Sequence, residues 1–414
     1  MWSVAPNTTT GQGETMKSNN AVKLLIGGAL ASCSFCSYAE VVFNGFASLR
    51  ATSADSDGGT SAFPTHKADG DISFSDESLF ALQARTDLGE GLSATIQIMA
   101  EGTDDFDAEA RWAYISYELS PQHTISMGRF ANPSFYQSEY QNVGFTNNFG
   151  RLPRAVYAGF DFSTIEGIAL DSNFTFGDYS LVTKVLYGNW DGTTFLAATQ
   201  NDETFGFKDE ISVRVELSKD WWTVFAGFFM VEIEGGSVDS NAILGATQSA
   251  VDLAVSQGAT AQQVKEYEDA VIWGGKDGLY GYSGFHIDYE KFIVDFEFAN
   301  YGVEDSSDGF NRAWYTAFGY RLMDKTIVTV HHEKSIQDEG DLEFLKGISH
   351  PTLFATAKAL RNTLSLREFD AIGVSVRYDF HSNAAFKFQY LSGEDTRPNV
   401  QDFTVLSAGV DIVF

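Results

Sequence analysis

Long apolar runs, cysteine and positive charge are all scarce in this sequence. No stretch approaches the roughly 20 apolar residues of a membrane-spanning helix, and the mean hydropathy is −0.13. Cysteine occurs only at Cys33 and Cys36, so no disulfide framework is expected. The chain has 27 basic against 56 acidic residues and a formal net charge of −29. Because phosphate binding needs a basic face, nucleic acid is excluded as a partner.

Aromatic residues and glycine are abundant instead. The chain contains 35 Phe, 17 Tyr and 38 Gly, whereas hydrophobic residues make up only 44%. A transmembrane β-barrel combines these values, because its apolar residues alternate with polar ones and every hydropathy window averages them out. The composition therefore favours one large barrel over two or three soluble domains.

The N-terminal part of the chain has the pattern of an export signal. Lys17 and Lys23 precede an apolar stretch over residues 24–31, and Ser37-Tyr38-Ala39 forms a small-x-small site. This order of positive charge, apolar segment and small residues predicts a secretory signal peptide over residues 16–39. The mature chain would then be residues 40–414.

Residues 1–15 lack that pattern. We interpret them as a translation start assigned too far upstream, with Met16 as the true start, although a genuine N-terminal extension is the alternative. A second alternative concerns processing, because Leu30-Ala31-Ser32-Cys33 resembles a lipoprotein cleavage box that would leave Cys33 lipidated.

Apolar and polar residues alternate along the mature chain. One run places Leu92, Ala94, Ile96 and Ile98 on the face opposite Ser93, Thr95 and Gln97. Similar segments recur, each about 9–13 residues long, which is enough to cross a bilayer at a tilt. Short connections such as 89–91 alternate with long ones such as 130–161. We therefore predict an all-β fold, a transmembrane antiparallel up-and-down β-barrel with its short turns facing the periplasm.

We expect about sixteen strands, since single-chain bacterial barrels have even counts. The segments on either side of Asp171-Ser172 are either one bent strand or a short hairpin. Two long loops look partly helical. Thr260 and Gln263 resemble a capping box before the segment Gln262–Ala270, and Pro351 is placed to start a helix that ends at Leu364.

The C-terminus ends in Phe414, with Ile412 and Val410 at alternate positions before it. This pattern resembles the assembly signal of Gram-negative outer-membrane barrels. The resemblance implies a location in the outer membrane, recognition by the outer-membrane assembly machinery, and contact with outer-membrane lipid and lipopolysaccharide.

A second resemblance lies in residues 127–159, which read Met-Gly-Arg-Phe-Ala-Asn-Pro-Ser-Phe-Tyr-Gln-Ser-Glu-Tyr-Gln-Asn-Val-Gly-Phe before an Arg-Leu-Pro-Arg segment at 151–154. The stretch is similar to porin-like proteins of marine gammaproteobacteria. It implies a diffusion porin for small polar solutes, often a homotrimer, whose pore is narrowed by a loop folded inward. The candidate constriction residues are Arg129, Tyr136, Glu139, Tyr140, Arg151 and Arg154.

This loop departs from the more familiar porin pattern, which has several carboxylates facing wall arginines. Residues 130–160 contain a single acid, Glu139, together with several aromatic residues. The sequence therefore does not predict a transverse field across the pore. The aromatic residues either stack on planar solutes or pack the loop against the wall.

Alternation assigns five basic residues to the water-filled lumen that a barrel of this width encloses. They are Arg50, Arg85, Arg214, Arg377 and Lys387. All except Arg214 lie on strands near the closing seam, so they would form a basic ladder on one wall. The alternative is that acids such as Asp379 and Asp411 pair with them.

Catalytic patterns are missing from the sequence. His331 and His332 are adjacent on a strand and point to opposite faces, and no Gly-x-Ser-x-Gly, His-Glu-x-x-His or phosphate-loop pattern occurs. Acidic loop tips such as Asp104-Asp105-Phe106-Asp107 lack EF-hand spacing. We expect no enzyme activity, no cofactor and no metal. A receptor or structural barrel with a plugged lumen is the alternative to a channel, and a barrel hydrolase is a weaker one.

Overall fold

The structure is a computed structural model of the full chain. It describes residues 40–58, 69–157, 163–196, 201–234, 244–306, 310–337, 342–364, 368–396 and 400–414. The predicted upstream extension and signal peptide, at residues 1–15 and 16–39, lie outside the described residues.

Sixteen antiparallel strands form a closed barrel in which each strand pairs with the next and β16 pairs with β1. The predicted fold class and strand number are confirmed. The strands are β1 Val41–Ser56, β2 Leu79–Gly89, β3 Leu92–Glu101, β4 Ala108–Ser120, β5 His123–Ala131, β6 Thr164–Phe176, β7 Tyr179–Leu196, β8 Asn201–Lys219, β9 Trp222–Glu234, β10 Asp277–Tyr289, β11 Phe292–Val303, β12 Asn311–Met323, β13 Thr326–Gln337, β14 Glu368–His381, β15 Ala384–Asp395 and β16 Gln401–Val413.

The segment around Asp171 is one continuous strand. Asp171 pairs with Thr124 of β5 on one side and with Lys184 of β7 on the other, and the register runs unbroken to Phe176. The two sequence segments that flank Asp171-Ser172 therefore belong to β6 alone, which settles the count at sixteen.

Connections of two kinds alternate around the barrel. Every connection from an even-numbered strand to the next contains two residues, whereas most of the others are longer. In the turn between β2 and β3, Glu90 has φ 53° and Gly91 has φ 81°, the left-handed conformations that tight hairpins need. The barrel therefore has a short-turn end and a long-loop end, as the sequence predicted.

The outer face of the barrel is apolar. Outward-facing side chains such as Leu82, Ile96, Ile211 and Phe228 are 45%, 46%, 52% and 47% exposed, whereas their inward-facing neighbours are mostly polar. Backbone hydrogen bonds are satisfied within the closed sheet, which is the condition for spanning a bilayer with strands. The helices in the described ranges are all too short or too polar to cross a membrane. The closed sheet and its apolar outer face are those of a transmembrane β-barrel.

Four α-helices occur in the described parts of the long connections. They are α1 Arg154–Tyr157, α2 Leu244–Ser256, α3 Ala261–Val271 and α4 Pro351–Leu364. The capping box of Thr260 and Gln263 is present at the start of α3, as predicted, and the predicted α4 matches in both bounds. The sequence analysis did not place α2, whose residues show no strong amphipathic pattern.

Helices α2, α3 and α4 pack together with a 3-10 helix at Glu343–Gly347 to form a helical cap. Val251, Tyr267, Phe344 and Leu353 contribute buried side chains to its apolar core. Trp273 contacts both this core and the aromatic cluster inside the barrel. Two loops that are far apart in sequence therefore share one core and join the barrel interior at Trp273.

Candidate functional site

The described part of the connection between β5 and β6, residues 132–157 and 163, enters the barrel lumen and is called the inner loop here. The first and last residues of the loop lie side by side, because the Asn132 N–H donates to the Ser163 carbonyl at 3.0 Å. The Asn132 side chain donates to buried Glu210 of β8 at 3.1 Å. The loop contains a 3-10 helix at Gly144–Thr146 and helix α1. The resemblance to porins predicted an inward-folded loop at this position.

Two buried glutamates of the wall hold the inner loop. Glu297 of β11 accepts from the Tyr136 N–H at 2.9 Å and from the Tyr157 hydroxyl at 2.6 Å. Glu333 of β13 accepts from the Ala155 N–H at 2.8 Å. Both carboxylates are almost inaccessible to solvent. Buried acceptors that lose such partners are costly, so these contacts determine where the loop lies.

The seam strands hold the other side of the loop with basic residues. Arg377 donates to the carbonyls of Phe145 and Asn147 at 2.8 and 2.9 Å. Lys387 donates to the Gly144 carbonyl at 2.5 Å. Arg50 and Lys387 both pair with Asp411, at 2.7 and 3.1 Å. Arg50, Arg377 and Lys387 are therefore occupied by backbone oxygens and carboxylates.

The arrangement of these basic residues differs from the predicted basic ladder in two ways. Arg50, Arg377 and Lys387 do lie together on the seam wall, but they are only 6%, 8% and 0% exposed. Arg85 lies apart from them in open space, and Arg214 of β8 pairs with Glu216 at 2.8 Å. The sequence showed which face these residues occupy. It did not show that the inner loop would cover Arg377 and Lys387, or that Arg50 would be buried against Asp411.

Arg129 is wrong as a constriction residue. It lies within β5 on the same face as Met127, which is 57% exposed on the outside of the barrel. Its guanidinium pairs there with Glu166 of β6 at 2.7 Å. The reason is strand register, because β5 continues through Phe130 and alternation turns Arg129 outward.

The other arginines of the loop region bind the wall. Arg151 pairs with Glu77 at 2.6 Å. Arg154 lies 3.8 Å from Asp395 and stacks over the ring of Phe369. Both side chains are therefore paired with acids close to the long-loop end.

Aromatic residues of the inner loop pack mainly against the wall. Tyr136 stacks on Phe225 with ring centroids 4.2 Å apart, and Phe135 packs edge-on against Tyr280. Burial raises the pKa of Tyr136 to about 12. Tyr140 differs because it is 55% exposed. The sequence left open whether these rings stack on solutes or pack against the wall. Phe135 and Tyr136 pack against the wall, whereas Tyr140 faces open space.

Glu139, the one acid in the described part of the inner loop, is paired across the lumen. Glu139 lies 2.5 Å from the Lys184 ammonium of β7, which also lies 3.3 Å from Asp171. Lys184 holds the pKa of the Glu139 carboxyl below its usual range. Sequence reasoning missed Lys184, although the alternation of β7 places it inward. Its neighbours on that face are Val182 and Leu186, which obscured the polar side of the strand.

The remaining open space lies on the side of β2 to β8. A chamber of about 690 Å³ reaches Gly91 at the short-turn end. Its charged lining residues are Arg85, Asp87, Glu118, Glu139, Asp171, Lys184, Arg214 and Glu216. A space of about 360 Å³ beside it shares Tyr140, Arg214 and Glu216.

Two smaller spaces continue from the chamber toward the long-loop end. A neck of about 10 Å³ is lined by Gln97, Arg111 and Trp112 of the wall and by residues 138–139 and 141–143 of the inner loop. It shares Trp112 and Glu139 with the chamber. An upper space of about 250 Å³ shares Gln141 and Asn142 with the neck. The three spaces therefore lie one after another along the inner loop, and the neck has the smallest volume of the three.

Comparisons with known proteins agree on this architecture. No protein-family model matches the sequence, and no curated protein matches it. Solved structures do match, among them the outer-membrane protein OmpT of Vibrio cholerae, at 13% identity and TM-score 0.53 over 92% of this chain and 99% of that chain. The outer-membrane channel DcaP of Acinetobacter baumannii matches at 11% identity and TM-score 0.54, over 91% of this chain and 97% of that chain.

A third similar structure is the anion-selective porin from Comamonas acidovorans. It matches at 12% identity and TM-score 0.53, over 91% of this chain and all of that chain. The chain has the porin fold. At these identities the likeness establishes the architecture of the barrel, and function must be argued from the lumen of this chain.

Proposed function

We propose that this protein is a porin that forms a water-filled channel for the passive diffusion of small hydrophilic solutes and ions. The observation that carries the proposal is the series of chamber, neck and upper space inside a closed barrel. Charged and hydroxyl side chains line it, and such groups remain hydrated and let polar solutes pass. The neck between Trp112 and the inner loop has the smallest volume of the three, so small solutes are the expected class.

The proposal includes the assembly of the protein. We expect a homotrimer, and one similar solved structure, of Vibrio cholerae OmpT, is described as a trimer form, at 14% identity and TM-score 0.52. We also propose that Phe414, Ile412 and Val410 are read by the outer-membrane assembly machinery. The apolar outer face would contact outer-membrane lipid and lipopolysaccharide.

A plugged barrel is the second candidate, and a specific observation favours it. The inner loop is bound to β8, β11 and β13 to β16, and its aromatic residues fill the side of the lumen next to β8 to β12. If the neck did not admit hydrated ions, the protein would be a receptor or structural barrel. That function predicts no conductance and a tightly bound ligand.

The experiment is single-channel recording of the purified, folded protein in planar bilayers. Discrete conductance steps are expected. Ser116→Trp should lower the step size because Ser116 lines the chamber. The matched control is Ile115→Trp on the next residue, whose side chain is 51% exposed on the outer face. Its steps should equal those of the original protein.

Two results would reject the channel. One is the absence of steps from protein that is folded by heat-modifiable gel mobility. The other is steps that Ser116→Trp and Ile115→Trp leave equally unchanged. Hydrolysis of lipid or peptide that is abolished by changing a serine or histidine at the barrel rim would instead establish an enzyme.

A further inference from the structure

We propose that the channel prefers cations, and that the chamber beneath the inner loop is where the preference is set. The inference rests on the proposed channel function and adds the charge class of its solutes. The sequence left the sign open, because the acidic loops argue for cations and the wall arginines argue for anions. The geometry decides between them through the partners of each charged group.

Most basic residues of the lumen have an acidic partner. Arg50 binds Asp411 with two hydrogen bonds of 2.7 and 2.8 Å. Arg151 is paired with Glu77, and Arg111 lies 3.0 Å from Glu109. Arg377 and Lys387 are buried beneath the inner loop, against Asp379 and Asp411. Asp411 is shared by Arg50 and Lys387, so one positive charge at the seam has no acid of its own. The three seam bases are at most 8% exposed, so they attract anions in the lumen weakly.

The chamber has more acids than bases. Three basic side chains line it, Arg85, Lys184 and Arg214, against five acidic ones. Lys184 is shared by two of those acids, Glu139 and Asp171. Even with every base ionised and counted against an acid, the chamber lining has a surplus of two negative charges.

The acids at the short-turn end of the chamber are the accessible ones. Asp87 and Glu118 are both exposed. Asp87 accepts a hydrogen bond only from the Gly89 N–H of its own turn, at 2.8 Å, among the bonds given for the described residues, and neither carboxylate is in an ion pair there. Rings of such carboxylates select cations in channels. Asp87 and Glu118 are therefore the main determinants of the preference.

Aromatic faces lie in the same chamber. Trp112, Tyr114 and Tyr140 line it together with the carboxylates. Ring faces attract ammonium groups as well as burying apolar carbon. The chamber therefore suits small organic cations of the ammonium type in addition to inorganic ones, whereas a small inorganic anion gains nothing from the ring faces.

The exposed charge at the long-loop end is also negative. Exposed acids such as Asp69, Asp71, Asp104 and Asp105 lie in the described parts of its connections. Surface charge of one sign concentrates counter-ions at a channel mouth, within about 10 Å at 0.1 M salt. Entry and chamber therefore favour ions of the same charge.

The test is the reversal potential of the folded protein in a planar bilayer under a gradient of potassium chloride. The expected sign is that of potassium permeating better than chloride. In water, a unit charge about 8 Å from an ion changes its occupancy about twofold. The same charge acts in the opposite sense on chloride, so the double variant Asp87→Asn with Glu118→Gln should lower the potassium-to-chloride permeability ratio about fourfold per charge removed.

Two further variants sharpen the experiment. Arg85→Gln removes the base of the chamber for which the described residues show no ion pair, so the ratio should rise about fourfold. Glu232→Gln is the control, because Glu232 is an exposed acid on the outward face of β9. Choline chloride in place of potassium chloride should keep the same sign of reversal potential.

The outcomes separate the two proposals. A reversal potential of chloride sign overturns the cation preference and leaves the channel standing. The same holds if the chamber variants shift the ratio no more than Glu232→Gln does. If folded protein shows no conductance at all, the channel function is rejected and the cation preference falls with it.

Discussion

At the scale of single residues, the pair of Glu139 and Lys184 connects the side of the inner loop that faces the chamber to β7. The Lys184 ammonium at 2.5 Å lowers the pKa of Glu139. A carboxyl whose folded-state pKa is depressed contributes stability above its unfolded pKa and loses it as the pH falls through the folded value. The attachment should therefore be complete at neutral pH and weaken only in acid.

Lys184→Met tests this attachment through its pH dependence. Without the ammonium, burial would raise the pKa of Glu139, so the loop should loosen at a higher pH than in the original protein. Single-channel conductance and its noise, recorded from pH 7 downward, measure the change. Lys219→Met is the control, since Lys219 pairs with exposed Asp178 at a turn. Identical pH profiles for both variants would contradict the assignment.

A second residue-scale prediction concerns Gly373. The His331 ring lies directly over it, so that a Cβ at this position would come 2.0 Å from His331 Cε1. Gly373→Ala should cost about 1–3 kcal/mol by overpacking. Gly281→Ala is the control, because its nearest contact would be a carbonyl oxygen at 4.0 Å. Denaturant unfolding in detergent measures both, and equal stability would show that His331 moves freely.

At the scale of elements, the helical cap is a small core outside the membrane. Its helices come from two connections, and each helix buries only one side. Short helices are marginal alone, so most of their stability must come from this packing. The strands are stabilised separately, by a continuous ring of backbone hydrogen bonds. The cap is therefore expected to unfold without the barrel.

Leu353→Ala tests that independence. Leu353 is fully buried in the cap, so the substitution should cost about 2–5 kcal/mol there. The expected result is faster proteolysis within the connections 235–276 and 338–367, with an unchanged gel mobility of the folded barrel. Leu253→Ala is the matched control, because Leu253 is 51% exposed. Loss of the folded barrel mobility in Leu353→Ala would show that cap and barrel fold together.

At the scale of the whole molecule, closure of the ring joins β1 to the chain segment that ends at Phe414. Gly45 and Phe414 exchange backbone hydrogen bonds of 2.8 and 2.9 Å. The Phe414 ring occupies the place where a side chain at position 45 would be, since a Cβ on Gly45 would lie 2.3 Å from Phe414 Cζ. The last residue therefore completes the seam besides ending the chain.

Phe414→Ala should lower the yield of folded barrel when the protein is refolded into lipid vesicles. The seam would lose the ring that covers Gly45, and the exposed edge would close more slowly. The fraction with folded gel mobility after a fixed time measures the effect. Phe380→Ala removes an outer-face ring that is 45% exposed and serves as the control. Equal yields would mean that the ring is dispensable for closure in the absence of assembly factors.

The barrel itself was predictable because its pattern is local. Alternation, two-residue turns and the capping box of α3 involve residues that are neighbours in sequence, so the strand number, the short-turn end and the faces of Arg85 and Arg214 followed from the chain alone. Arg129 was the exception. Its place depended on how far β5 continues before the inner loop begins, and strand ends are weakly specified by sequence.

What only the tertiary structure decided is which side chains share the lumen. Glu297 and Tyr157 are 140 positions apart, and Arg377 and Phe145 are 232 apart. No periodicity relates such residues, since their contact depends on the curvature of a closed sheet and on the path of one loop through it. The sequence determined that basic residues face inward. The fold determined that the inner loop, Asp379 and Asp411 bind and bury three of them, whereas acids without a base of their own remain in the chamber.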